Sequence, residues 1–297
     1  MIAIIKKEMR GYFNSWIGYV FLFILVGLVG VFFTLINIYS MSGAFQNALG
    51  NITILLLLLV PVLTMRLFAE EARQKTDQLL YTSPVPVTSI VLAKFLSAFA
   101  LAVLGLLITV IYCLMITPYG TLPVAEIFTS YLGYALLMAA FISMGMFVSA
   151  CTENQIIAAV VTFFAMIFMY IMESMANFIS SNLTSSSTGG SAALPSLAFC
   201  VIVVGIVLYL IYDSTKHLYL TLFIGLVLLA ATVGLLVYDQ TIFDGLLVNV
   251  VKWFSVLSRF TSFSQGILNL ADIVYYFSFT GLFIYLSINA IEKRRWR

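Results

Sequence analysis

Residues 52–94 run ITILLLLLVPVLTMRLFAEEARQKTDQLLYTSPVPVTSIVLAK. A long apolar run ends near 69, a charged stretch follows, and a second apolar run begins near 90. A helix needs about 20 apolar residues to cross the hydrocarbon core of a bilayer, with about 17 as a lower limit. The stretch therefore contains two membrane-spanning helices joined by a polar loop at 70–89. That assignment sets the fold class.

Applied outward, the same rule places spans at 17–39, 52–69, 90–117, 126–150, 154–178, 197–213, 218–238 and 273–291. The expected fold is an all-α polytopic membrane protein of about eight transmembrane helices, a single transmembrane domain over 1–297. Composition agrees: 63% of residues are hydrophobic and 9% are charged. An ordinary soluble domain carries about 25% charged residues, so a soluble enzyme is excluded. The net charge of +2 is too small to imply a nucleic-acid partner. Membrane lipid is the implied surrounding.

Lysine and arginine collect on cytoplasmic loops. With both termini in the cytoplasm, twelve of the 14 basic residues fall inside, leaving Lys252 and Arg259 outside. Trp16 and Tyr19 lie where the first span leaves the inner surface, and Trp296 where the last returns. Amphipathic rings prefer that depth.

Three stretches are not spans. In 1–15, Ile2, Ile5, Met9, Tyr12 and Phe13 recur at helical spacing, while Lys6, Lys7 and Arg10 face elsewhere. An apolar stripe beside cations predicts a helix lying in the inner interface. In 70–89, Glu70 and Glu71 open a charged stem in which Glu71–Lys75 and Arg73–Asp77 are opposite charges four apart, favouring a solvated helix beyond the membrane. Leu79, Leu80 and Tyr81 form an apolar tip, Thr82 and Ser83 follow, and Pro84 and Pro86 stop the helix. An exposed apolar tip on a charged stem needs a protein partner to cover it; a merely solvated loop explains the charges alone.

The third stretch is 242–272, on the outside. Phe243, Leu246, Leu247, Val250, Phe254 and Leu257 form an apolar face against Asn249, Lys252, Ser255 and Arg259. This predicts an external amphipathic or re-entrant helix, broken at Gly266 and 269–272 before the last span. The Ser-, Thr- and Gly-rich outer loop 179–196 is expected to be flexible.

Chemistry is sparse. No GxxxxGK[ST] phosphate loop, HExxH or GxSxG occurs. His217 is the single histidine and sits in a loop beside Lys216. Cys113, Cys151 and Cys200 are far apart in apolar runs, which fits neither a disulfide framework nor a metal cluster. No catalytic residue, metal ligand or cofactor of its own is expected. Ion-coupled transporters use ionisable groups or broken helices near the midplane, and the spans are nearly free of them. Energy is therefore expected from an attached cytoplasmic motor.

Several segments resemble the permeases of type-2 ABC transporters, most of all the gliding-motility and nitrous-oxide-reductase-maturation permeases. Lys7-Glu8, then Tyr12-Phe13-Asn14-Ser15 and Tyr19, are similar to that group's opening. Glu70-Glu71 through Thr76-Asp77-Gln78-Leu79-Leu80-Tyr81-Thr82-Ser83-Pro84-Val85 is similar to its cytoplasmic coupling segment. Phe260-Thr261-Ser262-Phe263-Ser264-Gln265-Gly266-Ile267 with Asp272-Ile273-Val274-Tyr275-Tyr276 resembles its approach to the last span, and Arg294-Arg295-Trp296 its ending. Ala93 stands where the family often has glycine before Lys94. The family core has six spans, so the hairpin 197–238 is additional.

The resemblance implies a multi-pass permease of the bacterial plasma membrane, acting as an exporter. Two permeases, alike or different, pair above two ABC ATPase subunits that hold ATP and Mg, with an extracytoplasmic accessory protein as a further partner. ATPase closure would push on 70–85 and on the interfacial helix. An ion-coupled secondary transporter and an ABC-linked mechanical or structural subunit that moves no solute remain the alternatives.

Overall fold

A computed structural model describes residues 1–41, 43–76, 85–116, 123–185, 253 and 255–295. The described residues form helices and no strand: α1 (Ile2–Asn14), α2 (Trp16–Phe33, continuing as a π-helical turn Thr34–Ile38), α3 (Phe45–Thr64), α4 (Ala69–Gln74), α5 (Val87–Ile116), α6 (Val124–Cys151), α7 (Gln155–Ser185), α8 (Phe260–Ser264) and α9 (Leu270–Arg295). Among the described residues, six helices are long and apolar enough to cross a membrane: Trp16–Ile38, Phe45–Gln74, Val87–Ile116, Val124–Cys151, Gln155–Met172 and Leu270–Arg294. They match the spans expected at 17–39, 52–69, 90–117, 126–150, 154–178 and 273–291. The expected spans 197–213 and 218–238 lie outside the described residues.

The chain divides into two compact units, Met1–Tyr170 with Val256–Arg297, and Ile171–Ser255. Of the second, the structure describes the end of α7 with Trp253 and Ser255. The first unit holds the spans above and is built around α6. In α6, 72% of the apolar stretch is buried, against 22% for the α2 span and 17% for Gln155–Met172. Lipid supplies no hydrophobic force between helices, so close approach over small residues has to supply packing. α6 offers Gly133, Ala139, Ala140, Gly145, Ser149 and Ala150. A Cβ at Gly133 would lie 2.5 Å from Phe263 Cβ, and one at Gly145 would collide with Thr64 Oγ1 of α3. The outer helices are one-sided. α2 buries Phe21, Leu25, Val29 and Phe33, one per turn, while Phe23 on α2, Phe164 on α7 and Phe277 on α9 stay exposed as a lipid-facing surface.

At one end of the bundle, Gln46 of α3 donates a hydrogen bond to the Glu126 carboxylate of α6. Next to Glu126, Gly266 takes φ +82° to turn the chain from α8 towards α9. Phe260 and Phe263 are buried against α6, with Thr129 Oγ1 donating to the Phe263 carbonyl at 2.9 Å. The sequence expectation for 242–272 was an external amphipathic or re-entrant helix with Arg259 on its polar face. Its described part packs on the bundle through Phe260 and Phe263, and Arg259 turns inward. Arg259 pairs with buried Asp272 at 2.9 Å and lies over the Tyr275 ring at 4.0 Å. The cause is the carboxylate thirteen residues on, which a helical-periodicity argument does not see. Phe243, Leu246, Leu247, Val250 and Phe254 lie outside the described residues.

Gly133→Ala is expected to destabilise the protein by about 1–3 kcal/mol through overpacking, read as a lower melting temperature in detergent. Gly27→Ala, where a Cβ meets nothing within 4 Å, is expected to leave it unchanged.

Candidate functional site

The opposite end of the bundle gathers α1, α4 and the start of α5. α1 is separated from α2 by Ser15, whose extended backbone (φ −102°, ψ 155°) ends the first helix. Gly18 then lets α2 press onto the Tyr12 carbonyl, 2.5 Å from where a Cβ would stand. Ile5, Met9, Tyr12 and Phe13 are half-buried, Tyr12 and Phe13 packing on the core, while Lys6, Lys7 and Arg10 are exposed. Ile2, the first residue of the expected stripe, is exposed.

α4 follows α3 after a break at Met65–Phe68. There the backbone N–H groups of Phe68 and Ala69 each donate to Ser149 Oγ of α6 at 3.1 Å. α4 is short. Lys75 takes the left-handed conformation (φ 56°), and Thr76 N–H bonds Glu71 O at 3.0 Å while Lys75 N–H bonds Ala72 O at 3.2 Å. This is a Schellman ending. The charged stem was expected to run on to Pro84; α4 closes at Gln74 with these C-terminal hydrogen bonds, and 77–84 lie outside the described residues.

Lys94 explains the arrangement. Only 1% of its side chain is exposed, and its ammonium lies 3.1 Å from Glu8 of α1 and 3.0 Å from Glu71 of α4. The Phe68 ring lies beneath it at 5.3 Å. A lysine in such surroundings is strongly unfavourable unless paired, and the only described helices bringing carboxylates to it are α1 and α4. Lys7 adds a weaker, exposed pair with Glu71 at 3.5 Å, and Arg66 a loose one with Glu70 at 3.8 Å. The expected Glu71–Lys75 pair is thus replaced. Glu71 turns inward because a desolvated ammonium attracts it more strongly than a solvated one on its own helix.

Between α1, α4 and the starts of α2 and α5 lies a cleft of about 490 Å³ whose lining includes Lys7, Glu8, Tyr12, Arg66, Glu70 and Lys94. Burial first, then the Glu8 carboxylate, raises the pKa of the Tyr12 hydroxyl, so the phenol stays neutral at physiological pH. Cations and carboxylates balance along the lining, so the cleft is not an anion trap. Among the described residues no group of histidine, cysteine and acidic side chains could hold a metal.

Of the residues expected at the joint, Glu70, Glu71 and Arg73 lie on α4, with Arg73 exposed. Asp77, Leu79, Leu80, Tyr81, Thr82, Ser83 and Pro84 lie outside the described residues. Phe260, Phe263, Gly266 and Asp272 sit at the other end. Sequence reasoning did not assign roles to Glu8, Lys94 or Ser149. A lone lysine in an otherwise apolar span was the available signal for the first two.

Lys94→Ala is expected to leave Glu8 without its cation and Glu71 with only the exposed Lys7, and to destabilise the protein by about 3–5 kcal/mol. Lys7→Ala, removing an exposed partner, should cost about 1 kcal/mol or less. Melting of the purified variants in detergent separates the two, and Lys94→Met combined with Glu8→Gln and Glu71→Gln should recover part of the loss.

The sequence was also compared with known proteins. No curated protein and no solved structure matches the chain. The family model described as ABC-2 family transporter protein matches residues 34–233. That match contains α4 and the 70–85 segment, and runs on through most of 197–238. The match covers more than half of the sequence: the chain belongs to the ABC-2 transporter family, as a membrane permease component of an ABC transporter.

Proposed function

We propose that the chain is one half of the membrane part of an ATP-driven exporter, resembling the gliding-motility and nitrous-oxide-reductase-maturation permeases within the family. Two permeases pair in the bacterial plasma membrane, with both termini of this chain in the cytoplasm. Two ATPase subunits, which hold the ATP and Mg, bind beneath α1 and α4. An amphipathic compound or an extracytoplasmic accessory protein receives the work.

The observation that supports this most is the Lys94 knot. Glu71 of α4 and Glu8 of α1 share one buried ammonium at the start of α5. A push on α4 cannot leave α1 or α5 behind without separating charges in a poorly solvated place, which would cost several kcal/mol. The knot therefore makes three elements move as one body. The exposed side of α4, with Arg73, Gln74 and Lys75, faces whatever supplies the push. The positive-inside distribution of lysine and arginine supports placing this end in the cytoplasm.

Replacing Leu79→Asp and Leu80→Asp together should weaken capture of the cognate ATPase about tenfold or more, while the permease still inserts and melts normally. Unchanged co-purification of the ATPase with the double variant would count against the proposed docking tip. Transport by liposomes holding the permease alone under an ion gradient would overturn the ATP-driven reading.

A further inference from the structure

We infer that Ser149 is the positioning residue that sets the direction of α4, by inserting its hydroxyl into the helical ladder between α3 and α4. In an unbroken helix each N–H bonds the carbonyl four residues earlier. Ala69 N–H would then bond Met65 O, and Phe68 N–H would bond Thr64 O. Here both N–H groups donate to Ser149 Oγ at 3.1 Å, and the Ser149 hydroxyl donates to Met65 O at 3.2 Å. One hydroxyl thus stands between the two ends of the missing Met65–Ala69 bond.

The break is local. Met65 N–H still bonds Pro61 O at 2.9 Å, and Ala72 N–H bonds Phe68 O at 3.0 Å. Met65 keeps helical angles (φ −55°, ψ −28°), while Phe68 departs from them at φ −127° and ψ −36°. Insertion of a side chain into the ladder is one of the few causes of a sharp helix kink, above about 20°. Gly145 makes it possible. One turn before Ser149 on the same face of α6, it has no Cβ to collide with Thr64, so α6 comes close enough to α3 for the hydroxyl to reach the backbone. Ser149 and Thr64 are both fully buried, which leaves Ser149 as the group that satisfies these amides.

The joint has a natural second arrangement, in which the hydroxyl withdraws and the Met65–Ala69 bond closes, making one helix from α3 through α4. α4 has six residues, about 9 Å at 1.5 Å per residue, so a swing of about 20° moves its tip by about 3 Å. Glu71, halfway along α4, would move by about half as much, stretching its ion pair with Lys94, now 3.0 Å long. Ser149 thereby sets how closely Glu71 meets its cation, and it ties α4 to the central helix. Its part in transmitting ATPase motion rests on the function proposed above; its part in bending the joint does not.

The test uses the full chain with its native cysteines replaced and spin labels at Gln74→Cys on α4 and Leu107→Cys on α5, both exposed. In the nucleotide-free permease, Ser149→Ala should shift the label–label distance by about 3 Å, whereas Ser149→Thr, which keeps the hydroxyl, should retain the wild-type distance. If Ser149→Ala fails to insert, Ser149→Gly supplies the same joint without a hydroxyl. In the complex with the ATPase, Ser149→Ala should still capture the ATPase. A residue that merely filled space would lower the melting temperature and leave the distances alone. Equal nucleotide-free distances in wild type and Ser149→Ala would overturn the inference. If the wild-type permease captures no ATPase, the proposed function fails, and the nucleotide-free distance still decides the role of Ser149.

Discussion

A single ammonium buried at the start of α5 governs one end of this molecule. Charge in a poorly solvated place must be paired with good geometry or it unfolds its surroundings. Lys94 meets that demand with one carboxylate from α1, 86 positions away in sequence, and one from α4. Greasy helices in a membrane can slide past one another at little cost, because one apolar neighbour resembles the next. An ion pair at 3.0 Å with Glu71 and another at 3.1 Å with Glu8 removes that freedom. The short α4 and the surface-lying α1, which bury little on their own, are thereby fixed to a span.

The second constraint is the central helix. α6 carries small residues where its neighbours come closest, at Gly133 beneath Phe263 and at Gly145 beneath Thr64. Each close approach places a hydroxyl where it can satisfy backbone groups of a neighbouring segment: Thr129 takes the Phe263 carbonyl, and Ser149 takes the amides of the α3–α4 joint. The rigid rod through the middle of the unit therefore holds the α8 turn at one end and the α4 joint at the other.

Long apolar runs made the spans legible, since only a helix satisfies its own backbone in lipid. The stripe of Ile5, Met9, Tyr12 and Phe13 made α1 legible through its period. The partners of Arg259 and Glu71 were not. Helical spacing offered Glu71 only Lys75 four residues on and placed Arg259 on a polar face, and each turned instead to a group farther along the chain in a drier place. The family match, 34–233, includes the coupling segment but neither of the chain ends whose motifs also resemble permeases.

The sequence alone determined that this is a helical membrane protein and roughly where its spans run, because hydrophobic length and charge distribution are properties of the chain read in order. Only the tertiary structure decided which charges meet, where α3 breaks and what α4 leans on. Those outcomes depend on distances between segments far apart in the chain. Desolvation there multiplies the strength of whichever polar partner arrives, and a serine or a lysine carries no mark of the neighbour it will find.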